Sequence, residues 1–198
     1  MKKMLFAAAL AFTFYLSPFT LKAQEATPSS VLTSIAQTQR QNATEVQKYQ
    51  FKQTKHTPML ATDAVRMGYM VVGPQKHMEW HYTDADPYAL VMEGDKCFML
   101  KDGEKKPLKG RSGRMASRMA ALMMELAAGE ELIDGKHFDS SLAETSNTWV
   151  VTLNPRSRDM RKMMESAVLT FDKKTLGILT VKIVDQDAGF TLIEFEKK

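Results

Sequence analysis

The sequence predicts an α+β fold in a single domain built on an antiparallel β-sheet. Between Gly68 and Leu100, short apolar runs alternate with polar residues and are separated by Gly, Pro and charged breaks, the pattern of half-buried antiparallel strands. Two further stretches, around residues 27–36 and 114–128, space their apolar residues at helical period. No internal repeat and no low-complexity linker divides the chain.

The first 23 residues read as a cleavable export signal. Lys2 and Lys3 form a basic region, Leu5 to Leu16 an apolar run, and Leu21-Lys22-Ala23 a cleavage site before Gln24. Such a run is too short for a membrane span, which needs about 20 residues. The expected mature domain is therefore residues 24–198, soluble and periplasmic, with no cysteine near its start to carry a lipid anchor. Cleavage removes three lysines, so the net charge of +4 falls to +1 over 175 residues. That balance argues against nucleic-acid binding, which rests on neutralising phosphates. Cys97 is the single cysteine, so no internal disulfide forms and the core alone must hold the fold.

In chain order, Thr27 suits an N-cap and Pro28 the first helical position, and Val31, Leu32, Ile35 and Ala36 make an apolar stripe that ends in polar Gln37 to Thr44. Val46 to Lys55 is the first strand, with Tyr49, Phe51 and Gln53 sharing a face, and Thr57-Pro58 breaks it. A second strand runs from about Val65 to Val72 and stops at Gly73-Pro74. Met78, Trp80 and Tyr82 then alternate with Glu79 and His81; Tyr88, Leu90 and Met92 repeat the alternation, and Lys96 to Leu100 follows a turn. Lys101 to Gly113 is charged and Gly-rich and is expected to be a solvated loop. Met115, Met119, Leu122 and Leu126, flanked by Ala116, Ala120, Met123 and Ala127, mark an amphipathic helix over Arg114 to Ala128, with Gly129 as its C′ residue. Its methionines suit a lid on an apolar cavity, because an unbranched, polarisable side chain repacks around varied ligands; an ordinary core helix has the same pattern. Short strands at His137 to Leu142 and Thr148 to Leu153, a short helix over Arg158 to Glu165, and a meander of Val168 to Phe171, Ile178 to Val184 and Phe190 to Phe195 complete the chain.

Phe51-x-Gln53-x-Lys55, Gly68, Trp80-x-Tyr82 twelve positions on, Pro87, Gly94 and the run Trp149 to Pro155 together resemble the LolA family of periplasmic outer-membrane lipoprotein carriers, over nearly all of the mature chain. The resemblance implies an unclosed antiparallel barrel, a strongly curved sheet whose concave apolar face is covered by helices, with acyl chains held between. It implies that Met70, Val72, Met78 and Trp80 face that cavity. The expected set of lipid contacts also takes in Phe51, Leu90, Met92 and Trp149, with Met119, Leu122 and Met123 from the covering helix. The implied partners are acylated lipoproteins as cargo, an inner-membrane ABC-type release complex and an outer-membrane acceptor, met by a monomer that needs no cofactor. The chain departs from the family at one position. Proteobacterial members carry an arginine six residues before the tryptophan, credited with readiness to release cargo; that position is Pro74 here, and Arg66 is not its replacement.

A lipid- or lipoprotein-sensing regulator of the same architecture is the alternative, although such a regulator is expected to carry a second domain. A metal-dependent enzyme is a third reading, because His77, Glu79 and His81 share one strand face at a spacing of two. The same pattern is the solvent face of a half-buried strand. No G-x-S-x-G elbow, H-E-x-x-H pair or phosphate-cradling glycine loop is present, and Ser29-Ser30 and Ser140-Ser141 have no base at useful spacing. The sequence is read as that of a binding protein, not an enzyme.

Overall fold

The computed structural model describes residues 27–74, 77–94, 96–127, 129, 132, 135 and 137–197, without the side chains of residues 111, 112, 114–116, 118, 119, 126, 127 and 197. The expected export signal and its cleavage site lie outside the described residues.

Helix α1 (Pro28–Asn42) starts as its residues demand, with the Thr27 hydroxyl accepting from the Ser30 N–H and Pro28 in the first turn. It runs beyond the apolar stripe. Gln39 is buried at 3% exposure and its amide donates to the Leu176 carbonyl at 2.8 Å, so a polar residue in the last turns is satisfied inside the fold.

Strands β1 (Gln47–His56), β2 (Ala64–Gly73), β3 (His77–Tyr82), β4 (Tyr88–Glu93), β5 (Lys96–Lys101) and β6 (Glu104–Pro107) form one meander. Strands β7 (Phe138–Glu144), β8 (Thr148–Pro155), β9 (Ser166–Asp172), β10 (Ile178–Val184) and β11 (Phe190–Lys197) form a second. They join where β1 pairs with β11, placing Phe51 opposite Phe195, so that eleven strands make one antiparallel sheet in the order β6-β5-β4-β3-β2-β1-β11-β10-β9-β8-β7. Strands β6 and β7 are its edges, and the barrel is not closed.

The structure corrects the expected loop over Lys101 to Gly113. Asp102 and Gly103 both take positive φ, 51° and 78°, making the two-residue turn that suits a hairpin, and exposed Glu104 to Pro107 pair with β5 through the main chain. Helix α2 begins earlier than expected, at Gly110, and spans Gly110–Ala127; the expected end at Ala128 lies outside the described residues. The short helix after β8 is a single turn, α3 (Arg158–Arg161), capped by Ser157, and Met164 beyond it is a fully buried core residue.

Helix α2 connects β6 to β7, so the chain crosses from one edge of the sheet to the other on the face that carries the core. Gly129, at φ +68°, ends that crossing against α1: a Cβ there would lie 2.7 Å from Ala36 Cα, closer than any side chain permits. The core cluster draws on α1, α2 and the inward residues of both meanders.

Candidate functional site

The cavity wall is built by alternation. Register places Trp80 opposite Met70 and Leu90, and Met78 opposite Val72 and Met92, so these side chains share one face across three strands. Gly68, opposite Phe51 and Tyr82, leaves the space that Phe51 occupies; the Phe51 ring then lies 4.4 Å from Trp80 and 5.6 Å, edge-on, from Tyr82.

Between this face and α2 lies a cavity of about 470 Å³. Met78, Trp80 and Leu90 line it from one half of the sheet, Ile183 and Ile193 from the other, with Ala120 and Met123 from α2 and Met163 from the segment after α3. Strands β4 and β10 are five places apart in the sheet, about 24 Å if it were flat, so a shared cavity requires the sheet to curve around it. At one end the lining turns polar, with Gln53, Lys55, Tyr82, Asp185 and Thr191.

The Tyr82 hydroxyl donates to Gln53 Oε1 at 2.9 Å, and burial pushes its phenol up to about 12. Lys55 and Asp185 form an ion pair across β11, with side chains 39% and 27% exposed. Trp80 is itself buried, with its indole N–H towards the Tyr82 oxygen. Arg66 reaches over the Tyr82 ring at 4.6 Å while donating to Asp84 Oδ2 at 2.5 Å and the Asp86 carbonyl at 3.1 Å, which pins the β3–β4 turn beside the cavity. The Arg66 guanidinium holds the Asp84 carboxyl below its ordinary range.

Of the eleven residues expected to contact lipid, Met78, Trp80, Leu90 and Met123 line this cavity. Met70 and Val72 face a smaller void of about 30 Å³ beside α1, which Met123 also reaches. Phe51, Met92 and Leu122 are buried core residues that line neither space. Trp149 is half-buried against the core and lines neither space; the Lys173 ammonium lies 4.6 Å from its ring centre. The Met119 side chain lies outside the described residues. Pro74 occupies the β2–β3 turn, where its carbonyl accepts from the His77 N–H, at the end of the sheet opposite Lys55 and Asp185.

Sequence reasoning missed Asp185, in a turn where no periodicity marks a direction, and Met163, whose helical spacing with Met160 and Met164 points to a surface helix that in fact ends at Arg161. It missed Ile183 and Ile193 although their parity along the meander was available.

His77, Glu79 and His81 are on the other face of β3. One Glu79 oxygen is 3.0 Å from His77 Nε2 and the other 2.6 Å from His81 Nε2. Bonds from His81 and then His77 hold the Glu79 carboxyl below its ordinary range. Tyr69 stacks on His81 at 4.4 Å, and the Lys48 ammonium sits 3.9 Å above Tyr69. Among the described residues, no group of three or more His, Cys, Asp or Glu is placed to hold a metal ion. Cys97 is buried, and burial pushes its thiol up. No described helix is long and apolar enough to cross a membrane.

No curated protein sequence matches the chain. Among solved structures, it is similar to a DUF1329 family protein from Desulfovibrio piger, 13% identical, with 85% of this chain and 91% of that one covered at a TM-score of 0.47. It is similar also to the lipoprotein LppX of Mycobacterium tuberculosis, 10% identical over 86% and 95% of the two chains, TM-score 0.45. A third is the LolA superfamily protein NE2245 of Nitrosomonas europaea, 7% identical over 83% and 91%, TM-score 0.41. The sequence profile described as "Outer membrane lipoprotein carrier protein LolA" matches residues 42–198, most of the chain and all but the first helix of its described fold, and the chain belongs to that family.

Proposed function

We propose that this protein is a periplasmic carrier that holds the acyl chains of lipoproteins in the cavity beneath α2 and moves them from the inner to the outer membrane. The reading is of a binding protein rather than an enzyme. The observation that carries it is the apolar cavity itself. Its volume of about 470 Å³ falls within the roughly 300–1,000 Å³ of sites that enclose most of a small ligand. Each methylene moved from water into such a site contributes about 0.8 kcal/mol, so ten of them contribute roughly 8 kcal/mol before the costs of association. Met78, Met123 and Met163 give the walls three side chains able to repack around chains of different length.

An inner-membrane ABC-type complex as donor and an outer-membrane acceptor follow from family membership as proposed partners. Pro74 has neither a side-chain donor nor a backbone N–H, so release here works without the polar contacts that an arginine at that position would make.

The test is purification from the periplasm followed by mass spectrometry of what accompanies the protein, with a displacement assay using a fluorescent acyl probe. Acylated peptides in the eluate and displacement of the probe by a synthetic acylated peptide are expected. A protein that carries no acylated species and leaves the probe free in solution overturns the carrier reading.

A further inference from the structure

We propose that Lys55 and Asp185 form a head-group site at the rim of the cavity that selects zwitterionic amphiphiles, bearing a phosphate ester and an ammonium on one head, over anionic or neutral ones with the same chain. The inference rests on the proposed use of the cavity for acyl chains and goes beyond lipoproteins to amphiphiles with a charged head.

The cavity is graded along its length. Met78 and Trp80 lie deep in the sheet, while Lys55 and Asp185 stand where β1 ends and β10 has just ended. Among the described residues lining the cavity, these two carry the only charges. Thr191 is opposite both Lys55 and Ile183, so the pair bridges two strand spacings over β11. Asp185 is held in place from behind: its N–H donates to the Gly189 carbonyl at 2.8 Å, closing the β10–β11 turn. Of the neighbouring charges at this end, His56 pairs with Asp63 and Arg66 with Asp84, while the Asp187 carboxylate, beside Asp185 in the turn, accepts from the Gly189 N–H.

With both side chains partly sheltered, the composition of the pair decides what the rim accepts. An anionic head drawn to Lys55 must separate it from Asp185, leaving a carboxylate without a partner. A neutral head makes at most hydrogen bonds to the pair and matches neither charge. A zwitterionic head places its phosphate on Lys55 and its ammonium on Asp185 and leaves no charge unmatched. Gln53 also lines this end, and with its carbonyl oxygen accepting from Tyr82 its amide N–H groups are the donors it has for ester oxygens.

The experiment measures displacement of a fluorescent acyl probe from the purified protein by three single-chain amphiphiles of equal acyl length, each below its micelle concentration. They are a lysophosphatidylethanolamine, a free fatty acid and a monoacylglycerol. Wild type is expected to bind the lysophosphatidylethanolamine about tenfold more tightly than either of the others. Asp185→Asn weakens the hold on Lys55 and should move the preference from the lysophosphatidylethanolamine to the fatty acid, with circular dichroism of the same preparation reporting an intact fold. The exchanged pair Lys55→Asp with Asp185→Lys should restore the zwitterionic preference. Equal affinities for the three heads in wild type, or an unchanged order in Asp185→Asn, overturns the head-group site. Displacement by a synthetic acylated peptide but by none of the three amphiphiles also overturns it and leaves the carrier function standing; failure of the peptide as well removes both.

Discussion

A Cβ on Gly68 would sit 1.8 Å from the His81 carbonyl oxygen and 2.7 Å from the Phe51 ring, so one methyl group there collides with backbone on one side and with the core ring that packs on Trp80 on the other. Gly68→Ala should lower unfolding stability by about 1–3 kcal/mol or more, since the backbone must shift to admit it. Urea unfolding measures the loss, and a shifted emission maximum should show Trp80 moving with Phe51; unchanged stability would mean that β2 and β3 lie farther apart. Tyr82 gives a second prediction, in pH. Its phenol ordinarily loses its proton near 10 and is pushed up to about 12 in the folded protein. Between these values the unfolded chain gives up a proton that the folded chain keeps, so stability is full below pH 10 and falls as pH rises towards 12. Burial of Tyr49 pushes in the same direction. Tyr82→Phe should flatten that alkaline fall while losing the bond to Gln53, roughly 0.5–1.5 kcal/mol, at neutral pH. Urea midpoints measured across pH 9 to 12 check it, and identical slopes in both proteins would exclude Tyr82 as the source. Trp80 and Met78 were legible in the sequence because alternation fixes a strand's inward face. The Lys55–Asp185 pair was not, since its members are 130 residues apart and meet only through the β1–β11 seam.

At the scale of elements, α2 covers the site. Ala120 and Met123 project from it into the cavity, and Ala120 is the smallest side chain of the lining. Ala120→Phe should fill the space a ligand would use, weakening acyl binding at least about tenfold. Added volume enters a void, so stability should change by less than the 1–3 kcal/mol of ordinary overpacking. Probe displacement and urea unfolding on one preparation separate the two effects; full binding by a folded Ala120→Phe protein would place the ligand elsewhere. The helix was legible because its apolar residues keep a helical period. Strand β6 was hidden because its residues are all polar or Pro and its pairing is entirely main chain, although Asp102-Gly103 carried the turn signal. The full length of α1 was hidden because Gln39 reads as surface until the Leu176 carbonyl is brought to it.

The whole molecule is two meanders that meet at one seam. Eight residue pairs join β1 to β11, and the Phe195 ring there lies 6.1 Å from Tyr49 and 6.2 Å from Trp80. The edges β6 and β7 are linked by α2. Because the sheet is continuous, neither half buries its inward face without the other: Val181 and Leu169 in one half belong to the same core cluster as Met78 and Trp80 in the other. Unfolding should therefore be one cooperative event. The two tryptophans allow a direct test, since Trp80 stands on β3 in the first meander and Trp149 on β8 in the second. In Trp149→Phe, fluorescence reports the first half, and in Trp80→Phe the second. Each trace should coincide with the far-UV circular dichroism of its own variant through a urea titration. Phe195→Ala, at a site only 7% exposed, should cost about 3–5 kcal/mol and lower both midpoints together. A first-half trace that moves away from the second would divide the molecule at the seam, and the cavity, which draws its walls from both halves, would then open by separating them.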